Sequence, residues 1–224
     1  MNRHPGRRAL KRMVNGIALA IASPCAATCW IEARLTDHGE AVFAFWAQVF
    51  ALLPGKPGMF LRRGFYRLTL DSCDPRCYIG FGAVFSHRQV RIERDVYVGT
   101  YGLIGSAWLH ERCLIGSRAS LLSGGSLHEL DADHRWTPSD ARRLRQIHIG
   151  ADTWVGEAAV VMADVGPGAM VAAGAVVSMA VPPAIMVAGN PARFVRSLRP
   201  APPPAPTGAG ENEGKEGRSE TLLV

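Results

Sequence analysis

Six-residue spacing of apolar residues constrains this chain more than any other feature. From Ile79 onward, aliphatic or aromatic anchors fall at Ile79 and Phe85, at Ile92, Val98 and Ile104, at Leu109, Ile115 and Leu121, at Ile149, Val155 and Val161, and at Val171 and Val177. Within each group the step is six, which matches neither the 3.6 period of a helix nor the 2 of a half-buried strand. Glycine follows the anchor directly at Gly80, Gly99, Gly105, Gly116, Gly150 and Gly156. The position four after the anchor is small or apolar at Ala83, Val96, Gly102, Cys113, Ala119, Thr153, Ala159 and Ala175. A repeat this short buries its anchor only by stacking on its neighbours, so the pattern reads as a β-solenoid. The glycine beside each anchor is expected at a sharp corner that needs positive φ and leaves no space for a Cβ.

The departures are local. One residue is extra between Phe85 and Ile92, one is missing between Ile104 and Leu109, two are missing between Val161 and Val171, and a long excursion runs from about Gly124 to His148. Insertions in a solenoid emerge on one face as functional loops. This one carries His128, Asp131, Asp133, His134, Arg135 and Asp140.

Before the repeats lie a basic head, with Arg3, Arg7, Arg8, Lys11 and Arg12, and an apolar stretch from Met13 to Ile31, close to the ~20 residues that span a bilayer. Asn15, Gly16, Ser23 and Pro24 interrupt it, and no convincing cleavage site follows, so a membrane-associated helix is favoured over a secretory signal, with a soluble helix packed on the body as the other alternative. A second apolar segment, 41–53, sets Phe43, Trp46, Phe50 and Leu53 at helical spacing, with Lys56, Arg62, Arg63 and Arg67 beyond Pro54-Gly55. It is too short to span a membrane, and is read either as core or as lying in the membrane interface. The net charge of +6 is concentrated at the N-terminus, which argues against a nucleic-acid surface. Five cysteines include two CxxxC pairs, Cys25/Cys29 and Cys73/Cys77, and are expected as reduced, mostly buried thiols, with Cys113 in a core slot.

The reading by segments is a helical N-terminal region over 1–72, a β-helix over 73–181 with an insertion at 124–148, a C-terminal segment over 182–199 that turns helical near its end, and a disordered tail over 200–224 rich in Pro, Gly and Glu.

The stretch IGADTWVGEAAVVMADVG followed by VAAGAVVSMAVPPAIMVAGNPARFVR is similar to the C-terminal half of the hexapeptide-repeat acetyltransferases, which include maltose, serine and capsular-sugar O-acetyltransferases. Thr153-Trp154-Val155-Gly156 and Gly189-Asn190-Pro191-Ala192-Arg193 carry the resemblance most sharply. It implies a mainly β fold, a left-handed parallel β-helix, and a homotrimer with active sites between subunits. It also implies acetyl-CoA as donor with no metal, and a cytoplasmic location, where an N-terminal membrane contact would put the chain at the cytoplasmic face of the inner membrane.

The resemblance also implies site residues. In the sugar acetyltransferases a catalytic histidine lies in a loop just past a rung that corresponds to Leu121-Leu122-Ser123-Gly124; here the first histidine is His128, two positions later than the pattern. The coil Ile79 to His87 resembles the segment of serine acetyltransferases that ends in their catalytic histidine, which makes His87 a second candidate. A neutral imidazole suits the removal of a hydroxyl proton while a thioester carbonyl is attacked. Asp131 is a candidate to orient the His128 ring, and Trp154 to line the acceptor pocket. Gly156, Ala172, Ala173 and Ser178 are expected along the pantetheine arm and Arg193 at the nucleotide phosphates; Met179 stands where relatives carry a lysine. The function implied is O-acetylation of a sugar or glycan. The alternatives are a serine-type or amino-sugar N-acetyltransferase, a metalloenzyme of the γ-carbonic-anhydrase type built on His87, His110 and His128, and a non-catalytic scaffold.

Overall fold

The structure is a computed structural model that describes residues 5–36, 39–123, 130–137 and 144–199. Three helices come first: α1 (Pro5–Leu35), α2 (Ala41–Ala51) and α3 (Gly55–Thr69). A parallel β-solenoid follows. Its rungs form three sheets: sheet A, from β1 (Ser72–Cys73), β4 (Arg91–Ile92), β7 (Ala107–Leu109) and β10 (Ile147–Ile149); sheet B, from β2 (Tyr78–Ile79), β5 (Tyr97–Val98), β8 (Leu114–Ile115), β11 (Trp154–Val155), β13 (Met170–Val171) and β15 (Ile185–Ala188); and sheet C, from β3 (Val84–Phe85), β6 (Leu103–Ile104), β9 (Ser120–Leu121), β12 (Val160–Val161) and β14 (Val176–Val177). Each coil visits A, B and C in turn, and the anchors stack in register along one buried interior.

The spacing anomalies share one place. Steps from A to B and from B to C are always six, and the series extends by Cys73 at its start and by Val181 and Val187 at its end. All irregular steps fall at the vertex from C to A: Phe85 to Ile92, Ile104 to Leu109, and Leu121 to Ile149. The two residues missing between Val161 and Val171 reflect a short turn to Val165, which bridges Ile149 and Val181 on the sheet A side.

The glycines beside the anchors need correction. Gly80, Gly99, Gly116 and Gly156 do not adopt positive φ. They stack at the vertex from B to C, where a Cβ on Gly80, Gly99 or Gly116 would come within 2.7 Å of the backbone of the next coil. Crowding alone selects glycine there. The left-handed turns sit two residues later at this vertex, at Gly82, Tyr101, Arg118, Ala158 and Gly174, and at the matching place of the vertex from A to B, at Asp95, Arg112, Asp152, Gly168 and Ala184.

The helices close the first coil, whose backbone would otherwise be an open edge. Arg62 is buried and donates to Phe50 O, Ala51 O and Leu53 O at the C-terminal end of α2 and to Ile79 O of the first coil. A cation belongs at a helix C-terminus, where carbonyls lack intrahelical partners. Arg63 bridges Cys77 O and Asn15 Oδ1, and Phe85 N–H donates to the Tyr66 hydroxyl. Arg62 and Arg63, read from sequence as a basic cluster beyond an interfacial helix, thus face inward as caps. The stripe Phe43, Phe50, Trp46 and Leu53 likewise packs on the core, and Phe50 stacks on Phe65 at 4.7 Å. At the other end the expected helical turn is absent, because β16 (Arg193–Ser197) folds back antiparallel on β15. All five cysteines are free, and Cys113 is buried, which pushes its thiol up to about 12.

Arg62→Met should strand several buried carbonyls at about 1–3 kcal/mol each, for a net loss of about 3–5 kcal/mol after relaxation, read from urea unfolding. Gly116→Ala should lower the midpoint clearly, whereas Gly168→Ala, with open space around its Cβ, should cost only the strain of a left-handed alanine.

Candidate functional site

The irregular vertex gathers the chemistry. Chain leaving β3, β6 and β9 reaches this vertex as Ser86-His87, Gly105-Ser106 and Leu122-Ser123, in three successive coils. These rungs are tied together: Ser106 N–H donates to Ser123 Oγ at 2.7 Å, and Ser106 Oγ donates to Gln89 O, which also accepts from Gln146 Nε2. The excursion begins in sequence just after Ser123. His128 lies outside the described residues, so its position relative to the vertex is an expectation from sequence alone.

His87 sits at the same vertex, two coils below, half-buried. Its Nδ1 is 2.7 Å from Glu40 Oε2, and the Arg88 N–H donates to Glu40 Oε1 at 2.9 Å. With Nδ1–H given to the carboxylate, Nε2 is left as the basic nitrogen, the arrangement that histidine–carboxylate pairs use in proton transfer. Arg88 adds two bonds, to Cys29 O and Gly39 O, so the pair is fixed to the connection between α1 and α2. Burial raises the Glu40 carboxyl, but the hydrogen bonds from His87 and Arg88, and the charges of both, outweigh it and leave the group below its ordinary value. Glu40 was not among the residues picked from sequence. Its one signal there is that, with Glu32 and Asp37, it stands between two long stretches without acid, and nothing in local spacing pairs it with a residue 47 positions on.

The remaining candidates are dispersed. Asp131 accepts from Asp133 N–H and Arg135 N–H and so caps its own exposed turn. Trp154 projects from sheet B, half exposed, between Leu114 and Met170 of the neighbouring coils. Gly156 is explained by its own chain, since a Cβ there meets Ala172 and Ala173. Ala173 and Ser178 are exposed, the first at the vertex from B to C and the second at the vertex from C to A. Arg193 is exposed at the start of β16, and its guanidinium meets Ala192 O. One face of the prism, six extended residues or at most about 20 Å, separates the two vertices. Sheet A carries a further cluster: Arg91 lies 4.9 Å over the Trp108 ring, and His110 and His148 stack with their facing nitrogens 3.4 Å apart, His110 held by Glu93. Among the described residues no group of three His, Cys, Asp or Glu is placed to hold a metal ion.

The Glu40 pair has a pH signature. A carboxylate depressed in the folded state adds stability that is complete above its unfolded value, near ~4.3, and is lost as pH falls through the lower folded value. Glu40→Gln should therefore lower the unfolding midpoint at neutral pH, and the parent and variant curves should converge as the pH is taken toward about 3.

No family profile matches the chain. A Staphylococcus aureus (strain COL) protein provisionally named an acetyltransferase is 36% identical over 73 residues, which is 32% of this chain and 36% of that protein. The match thus spans about a third of the relative. Solved structures cover more. A maltose O-acetyltransferase from Clostridium difficile 630 aligns over 72% of this chain and 87% of its own, with a TM-score of 0.57 at 15% identity. A hexapeptide-repeat acetyltransferase from Vibrio cholerae O1 biovar eltor, complexed with acetyl coenzyme A, aligns over 70% and 86%, with 0.54 at 22% identity. A galactoside acetyltransferase in complex with coenzyme A aligns over 73% and 86%, with 0.54 at 18% identity. This chain has the left-handed β-helix fold of the hexapeptide-repeat acetyltransferases.

Proposed function

We propose that the chain transfers an acetyl group from acetyl-CoA to a hydroxyl of a sugar or glycan, with a histidine of the irregular vertex as general base. The observation that carries the reading is this vertex itself. It is where the solenoid departs from its six-residue step, where the excursion with His128 leaves, and where His87 is held by a buried-edge carboxylate. The maltose and galactoside acetyltransferases named above support the sugar, and the two CoA-bound structures support the donor.

The chemistry follows from the groups. The acceptor hydroxyl gives its proton to imidazole Nε2 as its oxygen attacks the thioester carbonyl; collapse of the tetrahedral intermediate expels CoA as the thiolate, which takes the proton back. Of the two histidines, His87 has the carboxylate that would stabilise the imidazolium. His128 is the first histidine of the excursion, two positions later than the family pattern, with Asp131 three residues on in sequence. Acetyl-CoA would run past Ala172, Ala173 and Ser178, with Trp154 at the acceptor and Arg193 at the phosphates.

Ala173 and Trp154 lie on or beside sheet B, whereas His87 and Ser178 lie at the vertex from C to A, so the two sets converge only if the vertex of one subunit faces the sheet B side of another. We therefore propose a homotrimer. The outward column on sheet B fits burial there: Tyr78 and Tyr97 stack at 4.8 Å, and Leu114, Trp154 and Met170 continue the line. Dependence on acetyl-CoA would place the reaction in the cytoplasm.

Thiol release from acetyl-CoA should occur with sugar hydroxyl acceptors in a panel that also contains amino sugars and serine. The variant that lacks the true base, His87→Ala or His128→Ala, should lose about 10²-fold or more in kcat. Retention of activity within about tenfold by both variants would overturn the assignment, and turnover of amines or serine alone would replace the acceptor.

A further inference from the structure

We infer that the outer face of α1, continued by α2, is a docking surface for an anionic phospholipid membrane, on which the helix lies flat rather than crossing. This inference is independent of the acetyl-transfer reading. Residues Ala9–Leu35 are long and apolar enough to cross a bilayer, so either orientation is available by composition. The contacts of the helix decide between them.

The helix carries two apolar stripes. Ala18, Ala22, Ala26 and Cys29 form a buried one that packs on the body of the protein, chiefly on α3. Leu10, Met13, Ile17, Ile21, Ile31 and Leu35 form the other, each 52–79% exposed. At 100° per residue the second stripe occupies about 80° of the helix, centred roughly 130° from the first, and runs about 38 Å along the axis. Among the described residues, none covers it. Trp46 Nε1–H donates to Thr28 Oγ1, which interrupts this stripe between Ile21 and Ile31, and Phe45, packed edge-on to Trp46 at 5.1 Å, extends the apolar surface onto α2 with Leu52 one heptad further.

The inner stripe fixes the orientation. Polar links tie α1 lengthwise to the rest of the chain: Arg63 to Asn15 Oδ1 at 2.7 Å, Trp30 Nε1–H to Leu68 O at 2.9 Å, Arg88 to Cys29 O, and the Glu32 carboxylate to the Val42 and Phe43 N–H groups that open α2. A spanning helix would have to give these up and leave the buried Arg63 guanidinium without its side-chain partner. A helix lying in the interface keeps all of them while burying only the outer stripe.

Charge selects lipid over a second copy of the chain. The sequence before Glu32 has no acid, while Arg3, Arg7, Arg8, Lys11 and Arg12 are all basic. Two such helices side by side in parallel would set like charges together, whereas anionic headgroups attract each one.

Flotation of the purified full chain with vesicles tests this. The chain should float with phosphatidylcholine vesicles that contain phosphatidylglycerol, less so with phosphatidylcholine alone, and should come off in alkaline carbonate. The double variant Ile17→Glu/Ile21→Glu, with both side chains already exposed, should keep the parent's melting temperature and bind at least about tenfold less. Phe45→Glu should weaken binding in the same direction. Retention through the carbonate wash would show a spanning helix and overturn the inference. So would undiminished binding by the double variant, absence of binding to either vesicle, or vesicle-free self-association that the double variant abolishes, which would assign the face to a second copy.

Discussion

Close approach of successive backbones at the vertex between sheets B and C is the constraint from which the rest follows. Gly80, Gly99, Gly116 and Gly156 stand on one another with no room for a Cβ, so a coil cannot gain or lose a residue there without lifting the coil above it. The step from A to B is equally regular. Variation is left to the third vertex, and the steps of seven, five and four and the long excursion all occur there. A solenoid that is rigid at two corners and permissive at one localises its irregular side chains without needing a separate domain, and His87, Ser123 and the start of the excursion share that corner for this reason.

What was legible in the sequence depended on how far apart the interacting residues lie. The anchors repeat every six residues, so the β-helix, its buried Cys113 and its insertion could be read directly. Conformation within the repeat was harder. Glycine beside the anchor answers to the coil above, not to its own φ, and one sequence position cannot show which of the two demands selects it. Val165 was missed as a rung because its turn is two residues short. Long-range polar contacts left no local mark: Glu40 meets His87, and Arg62 meets Ile79 O, only after the helices fold back on the first coil. A run of arginines after an apolar helix looks the same whether it meets headgroups or carbonyls. Of the site residues, His87 acquired a partner, Gly156 acquired a structural explanation, and His128 stands on sequence alone.

Dispersal of the remaining site residues is itself informative. Ala173 and Trp154 lie on or beside sheet B, while His87 and Ser178 lie at the vertex from C to A. A general base must come within hydrogen-bond reach of the hydroxyl it deprotonates, about 3 Å, and a prism face is several times wider. Either only one of these groups takes part, or a second chain brings the other set across. The apolar column on sheet B favours the second arrangement, since a face that presents Tyr78, Tyr97, Leu114 and Trp154 outward gains most by being covered.

The N-terminal helices are commonly the least constrained part of such a chain, yet here they carry two roles on opposite sides. Inward, Arg62, Arg63 and Tyr66 take up backbone groups at the open first coil, and Glu40 with Arg88 fastens the connection between α1 and α2 to His87. Outward, α1 presents an apolar stripe interrupted only between Ile21 and Ile31, at Pro24 and Thr28. Because inward contacts hold α1 lengthwise, the same helix fastens the Glu40 pair on one side and leaves the stripe free among the described residues on the other. Docking through that stripe would leave the Glu40 pair and the first coil undisturbed, since none of the inward contacts has to be given up for the outer face to be covered.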